Sequence, residues 1–98
     1  MRVVVTALAK DDVRQIVAYY RDRSDRAPAE FVSELEDLVA GIREQPKRWP
    51  PLAKDDRRRV ALFPRFPYEL IYLPAEKQIK LLAVRHEKRH PEFGTDRD

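Results

Sequence analysis

The sequence predicts an α+β fold with a first strand, an antiparallel pair of helices and a second half built from antiparallel strands. A β-branched run at residues 2–6 comes before two stretches of helical periodicity. Three apolar runs separated by short links follow, and short links favour antiparallel neighbours. The chain has 98 residues, which suits one compact domain over residues 1–98.

The first helix is predicted by apolar side chains that recur at helical spacing from Leu8 to Tyr20. Asp11 and Asp12 lie in its first turns, where carboxylates interact favourably with the helix dipole. The segment "SDRAP" then interrupts the pattern, and Asp25 within it is suited to cap a second helix.

The second helix is predicted at about residues 27–45, and Pro46 ends it. Because its link to the first helix is short, the two helices should form an antiparallel hairpin with facing apolar stripes. The stripe consists of Phe31, Leu35, Leu38, Val39 and Ile42, and the acidic residues Glu30, Glu34 and Asp37 are placed off it.

A proline-rich loop at residues 46–56 separates the helices from the strands. Its three prolines should exclude regular structure, and Trp49 should anchor it on the core. Strands are predicted at 57–63, 66–73 and 78–86, and their short connections favour an antiparallel meander.

The strand predicted at 66–73 carries apolar side chains on both faces, which indicates a central strand with the helices over one face. The strand at 78–86 is also apolar on both faces. The second face is therefore either a groove that a partner fills or part of a well-packed core. Simple alternation sets Phe66, Tyr68, Leu70 and Tyr72 against Pro67, Glu69, Ile71 and Leu73 in the first strand, and Ile79, Leu81 and Ala83 against Lys80, Leu82 and Val84 in the second.

Charge and composition limit the class of protein. The formal net charge is +3: residues 1–53 hold nine Lys/Arg and nine Asp/Glu, whereas residues 54–98 hold eleven and eight. This bias favours acidic or nucleic-acid partners, although a solvated charged surface explains it equally well. The chain has no cysteine and no apolar run near the ~20 residues of a membrane span, so we expect a cytoplasmic protein. We expect a loosely ordered tail at about 88–98.

The order of these elements resembles the RelE/ParE superfamily, the toxin halves of bacterial type II toxin–antitoxin systems. The resemblance runs almost end to end and includes "AKDDVRQIVAYY" and "FVSELEDLVAGIREQP" in the predicted helices. It continues with an arginine-bearing strand, a Phe-Pro-Tyr step at residues 66–68, and a closing His-x-x-Arg-x-Pro pattern at His86, Arg89 and Pro91. The joint occurrence of these pieces, in this order, carries the resemblance.

The resemblance implies a helix hairpin packed on a small curved antiparallel sheet, and a cognate antitoxin that covers the toxin. An antitoxin bound by a helix in a groove or by strand addition would explain strands that are apolar on both faces. An acidic antitoxin would also suit the basic second half. We therefore expect a hetero-oligomer, with antitoxin contacts at Phe66, Tyr68, Leu70, Tyr72, Leu82 and Val84.

Two activities share this fold, and the RelE-like members cut mRNA on the ribosome without a metal. Cleavage through the 2′-hydroxyl needs a base, an acid and fixed cations around the phosphorane. Histidine suits proton transfer near neutrality, although His86 is equally suited to a structural hydrogen bond at its strand end. The catalytic candidates for this activity are Arg59, Arg65, His86 and Arg89, with Arg85 as a further cation.

ParE-like members instead inhibit DNA gyrase and perform no covalent chemistry themselves. RelE-like nucleases often end in a catalytic tyrosine, whereas "HPEFG" places Phe93, which has no hydroxyl, in that region. The chain is also only moderately basic for a protein that grips RNA. We therefore favour a growth-inhibiting, ParE-like toxin that is not an enzyme. Its predicted target-binding residues are Arg58, Arg59, Arg85, Arg89 and Phe93.

Two alternatives stay open, namely the RelE-like nuclease and a non-toxic relic that only binds protein. Neither requires a metal or a cofactor. The chain lacks cysteine and any helical His-Glu signature, and its two glycines, Gly41 and Gly94, form no phosphate-binding loop.

Overall fold

The computed structural model describes residues 1–89 and 91–97. Two helices pack on a five-stranded sheet, which confirms the predicted α+β class. The elements are β1 (Arg2–Val5), α1 (Ala7–Arg21), α2 (Ala27–Glu44), β2 (Pro51–Leu52), β3 (Asp55–Leu62), β4 (Tyr68–Pro74) and β5 (Gln78–His86).

The strand order in the sheet is β1-β5-β4-β3-β2. The antiparallel meander of β3, β4 and β5 is confirmed, and β4 lies in the centre as predicted. The sheet as a whole is mixed rather than antiparallel, because β1 pairs in parallel with β5. Short links justified the antiparallel prediction, and they say nothing about β1, whose only neighbour is the last strand of the chain.

The prediction that prolines exclude regular structure from the loop at 46–56 is wrong at Pro51 and Leu52. These two residues form β2, an edge strand that pairs antiparallel with β3. An edge position tolerates proline because its missing N–H need not join the sheet. The carbonyl of the preceding Pro50 accepts a hydrogen bond from Val60 N at 3.0 Å.

Hydroxyl side chains accept hydrogen bonds from amides at the start of both helices. Thr6 Oγ1 accepts from Ala9 N at 3.2 Å and caps α1. The N-cap of α2 is Arg26, which makes no side-chain cap bond, so the prediction of Asp25 as the cap is wrong. Ser24 Oγ instead accepts from Arg26 N at 3.2 Å and from Ala27 N at 3.1 Å. Serine and threonine are favoured at such positions because a short hydroxyl reaches the free amides of the first turn.

The main core lies between the helices and the sheet, and aromatic rings dominate it. Phe31 of α2 is fully buried and stacks on Phe63 with ring centroids 5.1 Å apart. The Phe66 ring lies edge-on to the Phe31 ring, with centroids 5.5 Å apart. Such pairs add about 0.5–1.5 kcal/mol beyond the area that they bury. Trp49 packs against this core from the loop, as predicted.

A β-bulge interrupts β5, so the predicted alternation fails in its second half. Tyr72 pairs with Leu81 and Ile71 pairs with Ala83, which leaves Leu82 as the extra residue. Leu81 and Val84 therefore both pack in the main core, and Leu82 and Ala83 join Ile71 on the opposite face. One inserted residue exchanges the faces of all that follow.

The tail contacts the sheet face opposite to the helices. A Cβ added at Gly94 would lie 2.7 Å from the Cβ of Ala83, so only glycine permits this approach, and its φ of 76° also favours glycine. Arg85 Nη1 donates to the carbonyls of Pro91 at 2.6 Å and Phe93 at 3.0 Å. The loose order predicted for about 88–98 stays a prediction. Two residues of this tail, His90 and Asp98, lie outside the described residues.

Candidate target-binding site

A cleft of about 200 Å³ opens at the end of the sheet between α1 and the tail. We call it the sheet-end cleft. It brings together six of the predicted site residues, namely Tyr68, Val84, Arg85, His86, Arg89 and Phe93. α1 contributes the rest of the wall, with Asp12, Gln15, Ile16 and Tyr19.

His86 ends β5, and a backbone amide two residues further along the chain fixes its ring. Its Nδ1 accepts a hydrogen bond from Lys88 N at 3.0 Å, and its ring lies edge-on to Tyr68 at 5.4 Å. With Nδ1 engaged as an acceptor, the neutral ring carries its proton on Nε2. In this arrangement the neutral His86 ring offers its Nε2–H as a donor to a ligand.

Tyr68 is poorly suited to proton transfer in the cleft. Burial, and then hydrogen bonding with Tyr20, raises the pKa of Tyr68 well above its ordinary value. Its hydroxyl is therefore a weaker proton donor than that of an ordinary tyrosine. Its ring packs among Tyr20, Phe31 and Phe63, with centroids 5.5 to 6.3 Å away.

Arg89 is the exposed cation of the sheet-end cleft. Its guanidinium lies 4.4 Å from the centre of the Phe93 ring, and Arg97 lies at 4.8 Å from the same ring. Cation–π attraction orients both guanidinium groups, and Arg97 is also bonded to Asp12 and to the Leu82 carbonyl. Arg89 and Phe93, both predicted to bind the target, thus lie side by side, and their role stays a prediction.

Arg59 and Arg65 do not line the sheet-end cleft. Arg59 Nη1 donates to the carbonyls of Trp49 at 2.6 Å and Lys47 at 3.1 Å, which ties β3 to the proline-rich loop. Arg65 Nε donates to Glu34 Oε2 at 3.1 Å, and its side chain is otherwise exposed. The structure thus separates these two catalytic candidates from His86 and Arg89.

Arg58 and Arg85 are buried beneath the tail rather than displayed. Arg85 pairs with Glu69 at 2.9 Å, and Arg58 pairs with Asp55 and donates to the Arg97 carbonyl at 2.9 Å. Each guanidinium is thus committed to one carboxylate and to carbonyls of the tail. Their contribution to target binding stays a prediction, and the geometry makes them positioning groups for the tail.

Glu34 is a structural residue that the sequence analysis placed on the wrong side of α2. It is buried, and its Oε1 accepts from Arg65 N at 2.8 Å and from Phe66 N at 3.3 Å. This carboxylate satisfies two amides of the loop between β3 and β4. A signal existed, because Glu34 follows Phe31 by three residues and precedes Leu38 by four, which is the spacing of one helix face.

Asp12 plays the corresponding part in α1, and its predicted role at the helix dipole is replaced by two direct contacts. Its Oδ2 accepts from Val84 N at 3.0 Å and from Arg97 Nη1 at 2.7 Å. Val84 pairs with Leu70 of β4 but lies past the end of β1, so no strand pairs with it on its other side. Asp12 thus satisfies a sheet amide and anchors the tail with one oxygen.

The residues predicted to bind an antitoxin are mostly covered by the chain itself. Tyr68, Leu70, Tyr72 and Val84 pack under the helices, and Leu82 packs on the tail side. Antitoxin binding at these positions stays a prediction. The helices cover the apolar residues of one strand face, and the tail covers the other. Phe66 is partly buried against the main core.

No helix within residues 1–89 and 91–97 has the length and apolar character needed to cross a bilayer.

One chain of a solved structure, described as a chromosomal ParDE TA system from P. aeruginosa, matches with a TM-score of 0.76 at 16% identity, over 88% of this chain and 95% of that chain. No curated protein matches the sequence significantly. Two helices on a five-stranded open sheet are thus a fold found in a toxin–antitoxin system.

The family model described as ParE toxin of type II toxin-antitoxin system, parDE, matches residues 3–91. This match spans most of the chain, so the protein belongs to the ParE toxin family of type II toxin–antitoxin systems.

Proposed function

We propose that this chain is a ParE-like toxin of the cytoplasm that inhibits DNA gyrase by binding, without covalent chemistry, and that a cognate antitoxin neutralises it. The observation that supports binding over catalysis is the commitment of the nuclease candidates to structural contacts. Arg59 is bound to loop carbonyls, Arg65 is bound to Glu34, and His86 Nδ1 is bound to the Lys88 amide.

RNA cleavage needs an acid, a base and cations that converge on one phosphate. Only His86 and Arg89 of the four candidates line a common cleft, and burial raises the pKa of the neighbouring Tyr68, which makes its hydroxyl a weaker acid. Phe93, at the position where a nuclease would carry a tyrosine, has no proton to exchange. The sheet-end cleft therefore suits recognition of a partner better than proton transfer.

The binding chemistry of the sheet-end cleft is cationic and aromatic. Arg89 is exposed and oriented by Phe93, and Tyr19 is half exposed on the facing helix. Arginine and tyrosine are enriched among the residues that contribute most to protein interfaces, because each combines apolar area with polar donors. An acidic surface of the target fits this combination.

A supercoiling assay with purified gyrase tests the proposal. We expect the chain to inhibit supercoiling, and Arg89→Ala to weaken inhibition by about tenfold, which corresponds to about 1.4 kcal/mol. Arg14→Ala is the matched control, because Arg14 is exposed on α1 and does not line the cleft. The antitoxin encoded beside the gene should restore supercoiling.

Two results would contradict the proposal. Ribosome-dependent mRNA cuts that disappear in Arg59→Ala or His86→Ala, with gyrase unaffected, would identify a nuclease. Unchanged growth on expression without a partner would identify a non-toxic relic.

A further inference from the structure

The sheet-end cleft is bordered on two sides by an aromatic ring that carries an arginine. On the tail side, Arg89 lies 4.4 Å from the centre of the Phe93 ring, and we call these two residues the tail pair. On the helix side, Arg23 lies 3.7 Å from the centre of the Tyr19 ring, and we call these two the helix pair. Tyr19 lines the cleft, so Arg23 borders the cleft through this ring. Arg23 is not among the residues predicted from the sequence to bind a target.

The helix pair is exposed and yet fixed in position. Arg23 Nη1 donates to the carbonyl of Tyr19 at 2.8 Å, which holds the guanidinium beside the ring. The Tyr19 ring lies edge-on to Tyr20, with centroids 5.2 Å apart, and Tyr20 packs against the main core. Tyr19 is nevertheless 50% exposed. A side chain that is already ordered loses little entropy when a partner binds, so this arrangement favours recognition.

The tail pair is fixed through its backbone. Arg89 N donates to the carbonyl of His86 at 2.9 Å, which closes a turn directly after β5. The carbonyl of Phe93 accepts from the buried Arg85 at 3.0 Å. Both pairs are therefore in place without a partner, and the cleft between them is preorganised.

The charges of the two pairs indicate the chemistry of the partner. Arg23 and Arg89 are both exposed, and among the residues that the structure describes neither forms an ion pair. Asp12 also lines the cleft, but it already accepts from Arg97 and from Val84 N, so it neutralises neither arginine. A guanidinium group binds a carboxylate through two parallel hydrogen bonds. Two such groups at the borders of one cleft therefore suit a ligand that carries two carboxylates.

A short acidic segment of protein fits this cleft better than DNA does. Exposed carboxylates lie beside the cleft, because Asp11 accepts from Gln15 of its wall at 2.9 Å. Asp22 and Glu87 are also exposed, and they are sequence neighbours of Arg23 and of the last residue of β5. A duplex carries one negative charge about every 1.7 Å along its axis, so some of its phosphates would meet these carboxylates. A protein segment can place its few carboxylates on the two arginines.

We propose that the helix pair and the tail pair together bind one acidic segment of gyrase, with one carboxylate on Arg89, another on Arg23, and apolar atoms of the segment against Tyr19 and Phe93. This inference rests on the gyrase binding proposed above. It adds Arg23 to the binding residues and specifies the chemistry of the segment that the sheet-end cleft recognises.

The first test removes the helix pair and keeps the tail pair. In the supercoiling assay, Arg23→Ala and Tyr19→Ala should each inhibit about tenfold more weakly than the wild type. Arg21→Ala is the matched control, because Arg21 is an exposed arginine at the end of α1 that does not line the cleft, and it should stay within about twofold. Arg23→Lys keeps the charge but loses the planar group that stacks on the ring, so its effect should be intermediate.

Circular dichroism establishes that each variant is folded, and if Tyr19→Ala does not fold, the Arg23 variants decide the result. Weaker inhibition by Arg89→Ala, with Arg23→Ala no weaker than Arg21→Ala, would overturn the joint role of the two pairs and leave the binding of gyrase intact. No inhibition by the wild type would overturn the proposed function, and the gyrase segment with it.

The second test identifies what the cleft holds. Overlapping peptides that tile the gyrase subunits should include one acidic peptide that binds the wild type and binds Arg23→Ala about tenfold more weakly in calorimetry. The same peptide with Asn and Gln in place of Asp and Glu should lose at least as much affinity, because its charge-assisted bonds are gone. Failure of every peptide to bind would overturn a single continuous segment. A short DNA duplex that binds the wild type better than Arg23→Ala would show that the cleft takes phosphates, and would overturn the acidic segment.

Discussion

The two faces of the sheet are sealed by different physical means. On the helix side, fully buried side chains such as Phe31, Leu70 and Tyr72 interdigitate over a large apolar area. On the tail side, Ile71, Leu82 and Ala83 form a small cluster, and arginines beneath the tail bind its carbonyls. Apolar burial stabilises the helix side, and it tolerates small shifts of the side chains. Directional hydrogen bonds hold the tail side, and they do not tolerate such shifts.

The comparison separates stability from local order. Loss of an apolar side chain on the helix side should lower the free energy of unfolding of the whole domain. Loss of one arginine contact on the tail side should mainly release the tail, since few apolar contacts hold it. The following experiments would strengthen or break that distinction.

The largest effect is expected for Phe31→Ala. Phe31 is fully buried and touches the rings of Phe63, Phe66 and Tyr68, so a cavity would open at the centre of the core. The free energy of unfolding should fall by about 3–5 kcal/mol in urea denaturation. Leu62→Ala, at an exposed strand position, should change it by less than about 0.5 kcal/mol. Similar losses at both positions would contradict the assignment of the core.

Arg85→Met should lower the free energy of unfolding by about 2–3 kcal/mol, because it leaves Glu69 and two tail carbonyls without their donor. Hydrogen exchange should quicken in residues 91–97 well before it does in β4. The double variant Arg85→Met, Glu69→Leu should recover most of the loss, since an apolar pair carries no stranded charge. Loss of protection throughout the sheet would show that the tail side is as integral as the helix side.

Arg97→Ala should lower the free energy of unfolding by a smaller amount, about 1 kcal/mol, because it removes one partner of Asp12. Asp12→Asn should match it, because the amide oxygen still accepts from Val84 N but no longer pairs with Arg97. Thermal unfolding of the two single variants and the double variant gives their coupling energy. Additive losses would show that the two side chains act independently.

The smallest effect concerns pH. A hydrogen bond from the Arg57 backbone, and then contacts from Arg58 and Arg57, hold the pKa of Asp55 below its ordinary value. A depressed folded pKa contributes stability that is complete above the unfolded value, about 4, and is lost as the pH falls through the folded one. Urea midpoints of wild type should therefore fall more steeply below about pH 4 than those of Asp55→Asn. Equal slopes would show that the ion pair beneath the tail contributes nothing.

How far the sequence predicts this molecule follows from the same contrast. Apolar periodicity predicts both helices, the meander and the central β4. It does so because the residues that each element buries recur along the chain at the period of that element. Hydrogen bonds to main-chain carbonyls carry no such period, so the buried roles of Arg58 and Arg85 beneath the tail were not predictable. A single-residue insertion in a strand leaves no periodic signal either, so the bulge at Leu82 was not predicted.

The candidate site was predicted in part. The closing pattern of His86 and Arg89 with Phe93 does meet in one cleft, because β5 ends there and the tail turns back on it. Arg59 and Arg65 belong to β3 and the loop after it, and nothing in the sequence shows that they bind the loop at Trp49 and the carboxylate of Glu34. The burial of Glu34 and Asp12 could have been predicted, because each lies on the apolar stripe of its helix.

The parallel pairing of the first and last strands sets the order in which this domain assembles. Arg2 pairs with Gln78, so β1 has no partner until nearly the whole chain has been made and β5 has formed. The helix hairpin is local and forms early, whereas closing so long a loop makes the last step slow for a chain of this length. During that interval the valines of the first strand are unsheltered, and nascent chains are then at their most vulnerable to aggregation.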